Sequence, residues 1–205
     1  MKLFAFTDLH ANLPVLKKIV ERVNKPDIDV VICCGDISYF GMGLDECFKL
    51  LGLINKTVLM IPGNHETDED INPFCEQYRN CININHKKYL HEDCLFVGYG
   101  DGGFSQADPK LKLLSKKFKT FFAEHDKEKV LVLHGPPYGT ECDNKSAWYP
   151  DHRHNGCKVA RKLIEDVQPN LVLCGHIHEC EGDMDKIGET LVLNPSHKGK
   201  VITLK

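Results

Sequence analysis

The sequence predicts a layered α/β sandwich with a mixed sheet, and three observations predict it. Five short apolar runs, at 3–6, 30–34, 58–61, 130–133 and 171–174, have the length and the Val/Ile/Leu content of strands buried on both faces. Segments with apolar residues at helical spacing alternate with the early runs, as α/β layers require. The chain then closes in a β-rich tail, which a purely doubly wound sheet would not carry. At 205 residues, positions 1–205 read as one domain, long enough to bury a core without disulfide or zinc staples.

Each element can be justified in order. After the first strand, Leu13, Leu16, Ile19, Val20 and Val23 form an apolar stripe on a helix from about Leu13 to Val23, with Pro14 in its first turn. The second strand ends at Gly35-Asp36, and a loop with Gly41 and Gly43 opens a short helix near Leu44 to Leu51. The third strand breaks at Pro62-Gly63. Asp68 to Tyr78 begins acidic and reads as a weak helix, followed by strands near Cys81 to Ile84 and Cys94 to Tyr99. Gly98, Gly100, Gly102 and Gly103 read as a flexible crossing. Leu111 to Phe122 is an amphipathic helix whose Lys112, Lys116 and Lys119 fall on a solvated face. The strand ending at His134 gives way to a long loop, Gly135 to Asn155, rich in Pro, Gly and aromatic residues, and long loops in compact domains are often functional. A helix from Cys157 to Val167 leads to the strand ending at Cys174-Gly175, and tail strands are expected at Met184 to Ile187, Leu191 to Leu193 and Val201 to Leu204.

Composition excludes several classes. The formal net charge of −3 provides no bulk attraction to nucleic acid or to an anionic membrane. No apolar stretch approaches the roughly 20 residues that span a bilayer. Met1-Lys2 leads straight into a strand-like run, so no signal peptide is expected and the expected location is cytoplasmic. Ten cysteines without a secretion signal or a CxxC pair read as free thiols, with Cys33, Cys34 and Cys174 as small buried hydrophobes. Cys157 and Cys180, near the expected site, are the two flagged for sensitivity to oxidation. The oligomeric state is open; a homodimer paired through the tail strand near Val201 is compatible with the sequence.

Function is carried by what ends the five runs: Asp8 and His10, Asp36, Asn64 and His65, His134, and His176 and His178. In open α/β sheets ligands bind beyond the carboxyl ends of strands, so these groups should converge along one rim. Aspartate with histidine suits divalent ions of intermediate hardness: Mn, Fe, Zn, Co or Ni. Strand alternation would point both members of Asp8-x-His10, and both of His176-x-His178, the same way. Asp36 is a single carboxylate placed to bridge two ions, and Asn64 offers a neutral, weaker oxygen. Glycines 35, 63, 135 and 175 adjoin these residues and admit close approach.

The blocks Asp8-Leu9-His10-Ala11-Asn12, Gly35-Asp36-Ile37, Gly63-Asn64-His65-Glu66, His134-Gly-Pro-Pro and Gly175-His176-Ile177-His178 resemble the signature of the calcineurin-like metallophosphoesterase superfamily. The stretches from His134 to Thr140, Gly175 to Glu179 and Lys186 to Pro195 are similar to the small Icc-related phosphoesterases, with two departures: Ser196 where the family usually has glycine, and His154-Asn155-Gly156-Cys157 where it often has His-x-Gly-Ser. The resemblance implies a four-layer αββα sandwich of two mixed β-sheets flanked by helices. It implies a metal-dependent phosphoesterase with two divalent ions, one held by Asp8, His10, Asp36 and His178 and the other by Asp36, Asn64, His134 and His176. Activated water would attack phosphorus, and His65 would be the general acid rather than a ligand. Glu66 is open between orienting His65 and capping or facing solvent.

The substrate contacts expected are His154 and Arg153, beside a helix start, and Asn12. Trp148 and Tyr149 either stack on a base or pin their loop, and His86, His91, His125 and His197 read as surface residues. Only four arginines are present, and just Arg153 adjoins the expected pocket, which favours small phosphodiesters such as cyclic nucleotides over monoester dianions. The alternatives are a phosphomonoesterase, a nuclease, which would want a positive track, or a non-catalytic scaffold of the same fold.

Overall fold

The structure is a computed structural model, and it describes residues 1–103, 105–144 and 154–204. Two mixed sheets lie face to face. The first has the order β11-β1-β2-β3-β4, from β1 (Lys2–Phe6), β2 (Val30–Cys33), β3 (Val58–Met60), β4 (Cys81–Asn83) and β11 (Lys200–Thr203). The second has the order β5-β6-β7-β8-β10-β9, from β5 (Lys88–His91), β6 (Cys94–Tyr99), β7 (Glu128–Leu133), β8 (Leu171–Leu173), β9 (Met184–Ile187) and β10 (Thr190–Leu193). Strands β1 to β4 are mutually parallel, as are β6, β7, β8 and β10, while β11, β5 and β9 run antiparallel at the edges.

Helices α1 (Leu13–Val23), α2 (Leu44–Leu51) and α3 (Asp68–Gln77) cover the first sheet, and α4 (Pro109–Ala123) and α5 (Lys158–Val167) cover the second. Period-two alternation sorts the strand side chains into three cores. Leu3, Ala5, Val30 and Ile32 meet Phe96, Val130, Val132 and Leu173 between the sheets. Phe4, Phe6, Val31 and Cys33 face the helices α1 and α2, which bury Leu16, Ile19, Cys47 and Phe48 against them. Leu131, Leu133 and Val172 face α4 and α5. Burial on both faces is why these strands read as unbroken apolar runs, and the result is the four-layer αββα arrangement.

Helix ends follow their local chemistry. The Asn12 side chain accepts from Val15 N at the start of α1, and Thr67 and Asp70 form a reciprocal capping box on α3. Strand β5 is the element with no counterpart in the sequence reading. It is an edge strand with alternating half-exposed residues, so it has no apolar run to announce it. Gly98 lies inside β6 rather than in a flexible crossing, and the Gly100 amide donates to the Asn85 side chain. The tail strands divide: β9 and β10 extend the second sheet, and β11 pairs with β1, its other side forming the edge of the first sheet.

Candidate metal centre

The carboxyl ends of β1, β2 and β3 meet those of β7 and β8 at one rim, so the site spans both sheets rather than a switch point within one. Hydrogen bonds stitch the rim together. Thr7 N donates to Ser196 O, Gly175 N to His134 O, and His176 N to both carboxylate oxygens of Asp8, at 3.1 and 2.9 Å.

Strand alternation does not aim the histidines, contrary to expectation. Strand β1 stops at Phe6, and Asp8, His10 and Ala11 have φ of 50, 46 and 57°. Strand β8 stops at Leu173, His176 has φ 68°, and His178 opens a short 3-10 turn. Asp36 has φ 52°. Four of the candidate ligands therefore occupy the left-handed region that non-glycine residues avoid, the kind of strain that concentrates at functional sites.

All eight predicted rim residues come together. Asp36 is central: Oδ1 accepts from His65 N at 2.9 Å, and Oδ2 lies 3.9 Å from Nε2 of His10, 3.9 Å from Nε2 of His65 and 3.5 Å from Nε2 of His134. On one side the Nε2 atoms of His10 and His178 are 3.0 Å apart, and Asp8 Oδ1 is 3.7 Å from His178. On the other, Asn64 Oδ1 lies 2.9 Å from His134 Nε2 and 2.7 Å from His176 Nδ1. His134 Nδ1 faces the Cys34 carbonyl at 3.0 Å; a carbonyl only accepts, so Nδ1 carries a proton and Nε2 is turned to Asp36 and Asn64. Asp8, His10 and His178 form one group able to hold a cation, Asp8, Asp36 and His134 another, and His10, Asp36 and His65 a third.

The donor set fits divalent ions: carboxylate and amide oxygens with imidazole nitrogens, packed at separations typical of donors sharing a cation. Burial by itself would raise Asp36, but His134 and His65 beside it hold its carboxyl down at about 2. Burial would lower His134, yet Asp36 raises it to about 8. Asp8 is likewise held low, against burial, by His178 and His134.

Two glycines make these approaches possible. A Cβ on Gly63 would sit 2.0 Å from Asp36 Oδ1, and one on Gly175 would sit 2.5 Å from Asp8 Oδ2.

Other predicted residues are placed differently. Glu66 does not orient His65: its carboxylate accepts from Ile37 N and Ser38 Oγ, both at 2.9 Å, and burial pushes it up to about 7. Asn12 is engaged as the cap of α1. His154 holds Asp143 Oδ1 through Nδ1 at 2.8 Å. Arg153, Trp148 and Tyr149 lie outside the described residues. His86 and His197 are not merely surface residues, since they pair with Asp101 at 2.6 Å and Glu181 at 2.7 Å. Cys157 and Cys180 are buried, the Cys157 sulfur accepting from Ala160 N and burial pushing Cys180 up to about 12.

The sequence reading missed three features. Asp143, fully buried, gathers the amides of Gly139, Thr140 and Gly156 as well as His154, and so ties together the two described ends of the long loop. Tyr39 and Phe40 flank His65, with ring centroids 5.3 and 3.9 Å away; an aromatic pair soon after Gly35-Asp36 was the available signal. Lys112, Lys116 and Lys119 do not simply face solvent but line, with Lys158 and Lys162, a groove of about 630 Å³ between α4 and α5.

Comparison with known proteins agrees with this arrangement. An uncharacterized protein of Methanocaldococcus jannaschii is 36% identical over 97% of this chain and 89% of its own. A probable glycerophosphodiester phosphodiesterase, GpdQ, of Arcobacter nitrofigilis is 26% identical over 85% of this chain and 66% of its own. The crystal structure of TT1561 of Thermus thermophilus superposes with a TM-score of 0.74 at 17% identity, covering 96% of this chain and 89% of that one. The model of the calcineurin-like phosphoesterase family matches residues 1–180, a span that holds every one of the converging aspartates, histidines and Asn64, and the chain belongs to that family.

Proposed function

We propose that this protein is a dinuclear-metal phosphoesterase acting on small phosphodiesters. The observation that carries the reading is Asp36, whose Oδ2 stands among three imidazoles with a donor group on either side. Asp8, His10, Asp36 and His178 would hold one ion, and Asp36, Asn64, His134 and His176 the other, from the set Mn, Fe, Zn, Co and Ni. Bound there, such ions would polarise a phosphoryl oxygen and supply a hydroxide nucleophile near neutral pH. His65, its backbone fixed by Asp36 Oδ1, would give the proton that the leaving oxygen needs.

Diester preference is supported in part by two of the four arginines: Arg22 is committed to Asp27, and Arg161 to Glu165 and two carbonyls, so neither offers an open fork to a monoester dianion. Arg153, expected at the pocket, lies outside the described residues. The phosphodiesterase name of the Arcobacter relative points the same way. A cytoplasmic setting is supported by ten free thiols, and among the described residues no helix is long and apolar enough to cross a membrane.

The test is hydrolysis of bis-p-nitrophenyl phosphate with Mn, Fe, Co, Ni, Zn and Mg in parallel, together with the variant His65→Ala. Turnover with at least one transition metal is expected, and the variant should keep its metal content while turnover falls by orders of magnitude. Inertness with every metal would favour a scaffold, and full turnover in the variant would refute the acid role.

One observation favours a nuclease as the second reading. The lysine-lined groove includes Gln106, three residues from Gly103, whose backbone abuts the His176 ring. Three residues of chain reach at most about 11 Å, so a backbone lying in the groove could approach the centre. Cleavage of a short single-stranded oligonucleotide that outpaces the small diester and weakens steeply with salt would select it.

A further inference from the structure

The loop between β2 and α2 carries three exposed apolar side chains at the mouth of the metal centre: Tyr39 is 50%, Phe40 65% and Met42 62% exposed. Their backbone is a tight hairpin, with Tyr39 N donating to Met42 O and Met42 N to Tyr39 O, both at 3.1 Å. The two central residues, Phe40 and Gly41, have φ of 51 and 80°. That is the turn for which Asn-Gly is the favoured pair, because both central residues must be left-handed. A bulky phenylalanine at the first of them is an outlier. Most of its surface also faces water, and one face of its ring is left without a packing partner among the described residues.

The hairpin is firmly anchored. Ser38 Oγ accepts from Gly41 N and donates to Glu66 Oε2, and Glu66 Oε1 takes the Ile37 amide. The buried Glu66 carboxylate thus fixes the base of the hairpin, while the neighbouring His65 amide is held by Asp36 Oδ1. Phe40 stacks on the His65 ring at 3.9 Å with the planes 23° apart, and Tyr39 meets the rings of His65 and His10 edge-on at 5.3 and 6.3 Å. A solvent-facing aromatic pair, its phenylalanine held at a strained backbone position beside a phosphoester site, is the arrangement expected of a stacking platform.

We propose that the Tyr39–Phe40 hairpin is a specificity wall that stacks on a flat aromatic substituent of the substrate, which places that substrate among phosphoesters bearing a nucleobase or similar ring. This rests on the phosphoesterase reading for the position of the phosphoryl group. Phe40 offers its outward face to the ring, since its other face is on His65, and Tyr39 closes one side.

Binding tests this without requiring turnover. Adenosine 5′-monophosphate and ribose 5-phosphate share the sugar phosphate and differ in the base, so the ratio of their dissociation constants for the manganese-loaded protein, measured by calorimetry, reports the base alone. The expected ratio favours the nucleotide by roughly tenfold or more, the usual strength of a base on an aromatic ring. Phe40→Asn suits the turn and so preserves the hairpin; it should bring the ratio close to one, and Phe40→Trp should retain it. A ratio near one in the native protein, or one unchanged by Phe40→Asn, would overturn the wall. Inertness toward diesters with the ratio intact would instead sink the hydrolytic reading and leave the wall standing.

Discussion

Asp36 and Asp8 reach their positions because the chain beside them lacks a side chain. The 2.0 Å separation between Asp36 Oδ1 and a Cβ built on Gly63 cannot be relieved by a flexible tip, because the next atom in the way is the Asp36 backbone nitrogen at 2.5 Å. Gly63→Ala should therefore displace the central carboxylate. We expect at least a tenfold loss of any phosphoester turnover the native protein shows and bound metal well below that of the native protein, read by elemental analysis, with far-UV circular dichroism preserved. Native metal content in that variant would mean that Asp36 is not the shared group. At this scale the residue types of the centre were legible from the sequence only in combination: one histidine after an apolar run is usually structural, but five blocks of aspartate, asparagine and histidine, each after such a run, are not. Their aim was not. It depends on left-handed conformations at Asp8, His10, Asp36 and His176, and although aspartate and histidine adopt them more readily than most residues, a side chain alone does not say which of them will.

Strands and helices are joined near the site by a buried amide network. Asn85, 2% exposed, donates to Asp68 Oδ2 at the start of α3 and to Asp101 Oδ1 after β6, and accepts from Gly100 N. Asn85→Ala would strand an amide and remove a donor from two carboxylates, at a cost of about 2–3 kcal/mol measured by urea denaturation. Asp101 adds a pH-dependent contribution. Burial would raise its carboxyl, but Lys110, Asn85 and His86 outweigh burial and hold it below the usual carboxylate range. A folded-state value below the unfolded one means that the carboxylate adds stability above about pH 4, and that this is lost as pH falls through the folded value. Asp101→Asn should then be less stable than the native protein by about 0.5–1 kcal/mol at pH 7, as for a partly exposed ion pair, and the gap should close as the pH falls below the folded-state value. A gap that widens in acid would contradict the sign. Elements with an apolar stripe or run, such as α1, α2, β2 and β7, were readable from that pattern, with bounds within two residues of those observed. The half-exposed edge strand β5 was not, because its stability comes from pairing with β6 rather than from a pattern of its own.

The whole molecule distributes its thiols and charges in ways that a composition cannot show. Nine of the ten cysteines are buried, and Cys75 is the intermediate one, so burial pushes thiols such as Cys47, Cys81 and Cys94 up to about 12. Native protein should yield at most one rapidly reacting equivalent to a thiol reagent at pH 7, and about ten after denaturation; fast reaction at Cys157 or Cys180 would contradict their burial. The acidic net charge likewise conceals a lysine-lined groove, because α4 and α5 contribute to it from positions more than 30 residues apart in the chain. The layer order was legible in outline, but the division of the tail between two sheets was not, since the three tail strands read alike. That division has a consequence for biosynthesis. Lys2 pairs with Thr203, and Thr7 beside the first aspartate leans on Ser196. Strand β1 therefore waits for a partner about 200 residues further along the chain, and a growing chain must carry Asp8 without these neighbours until that stretch has been made.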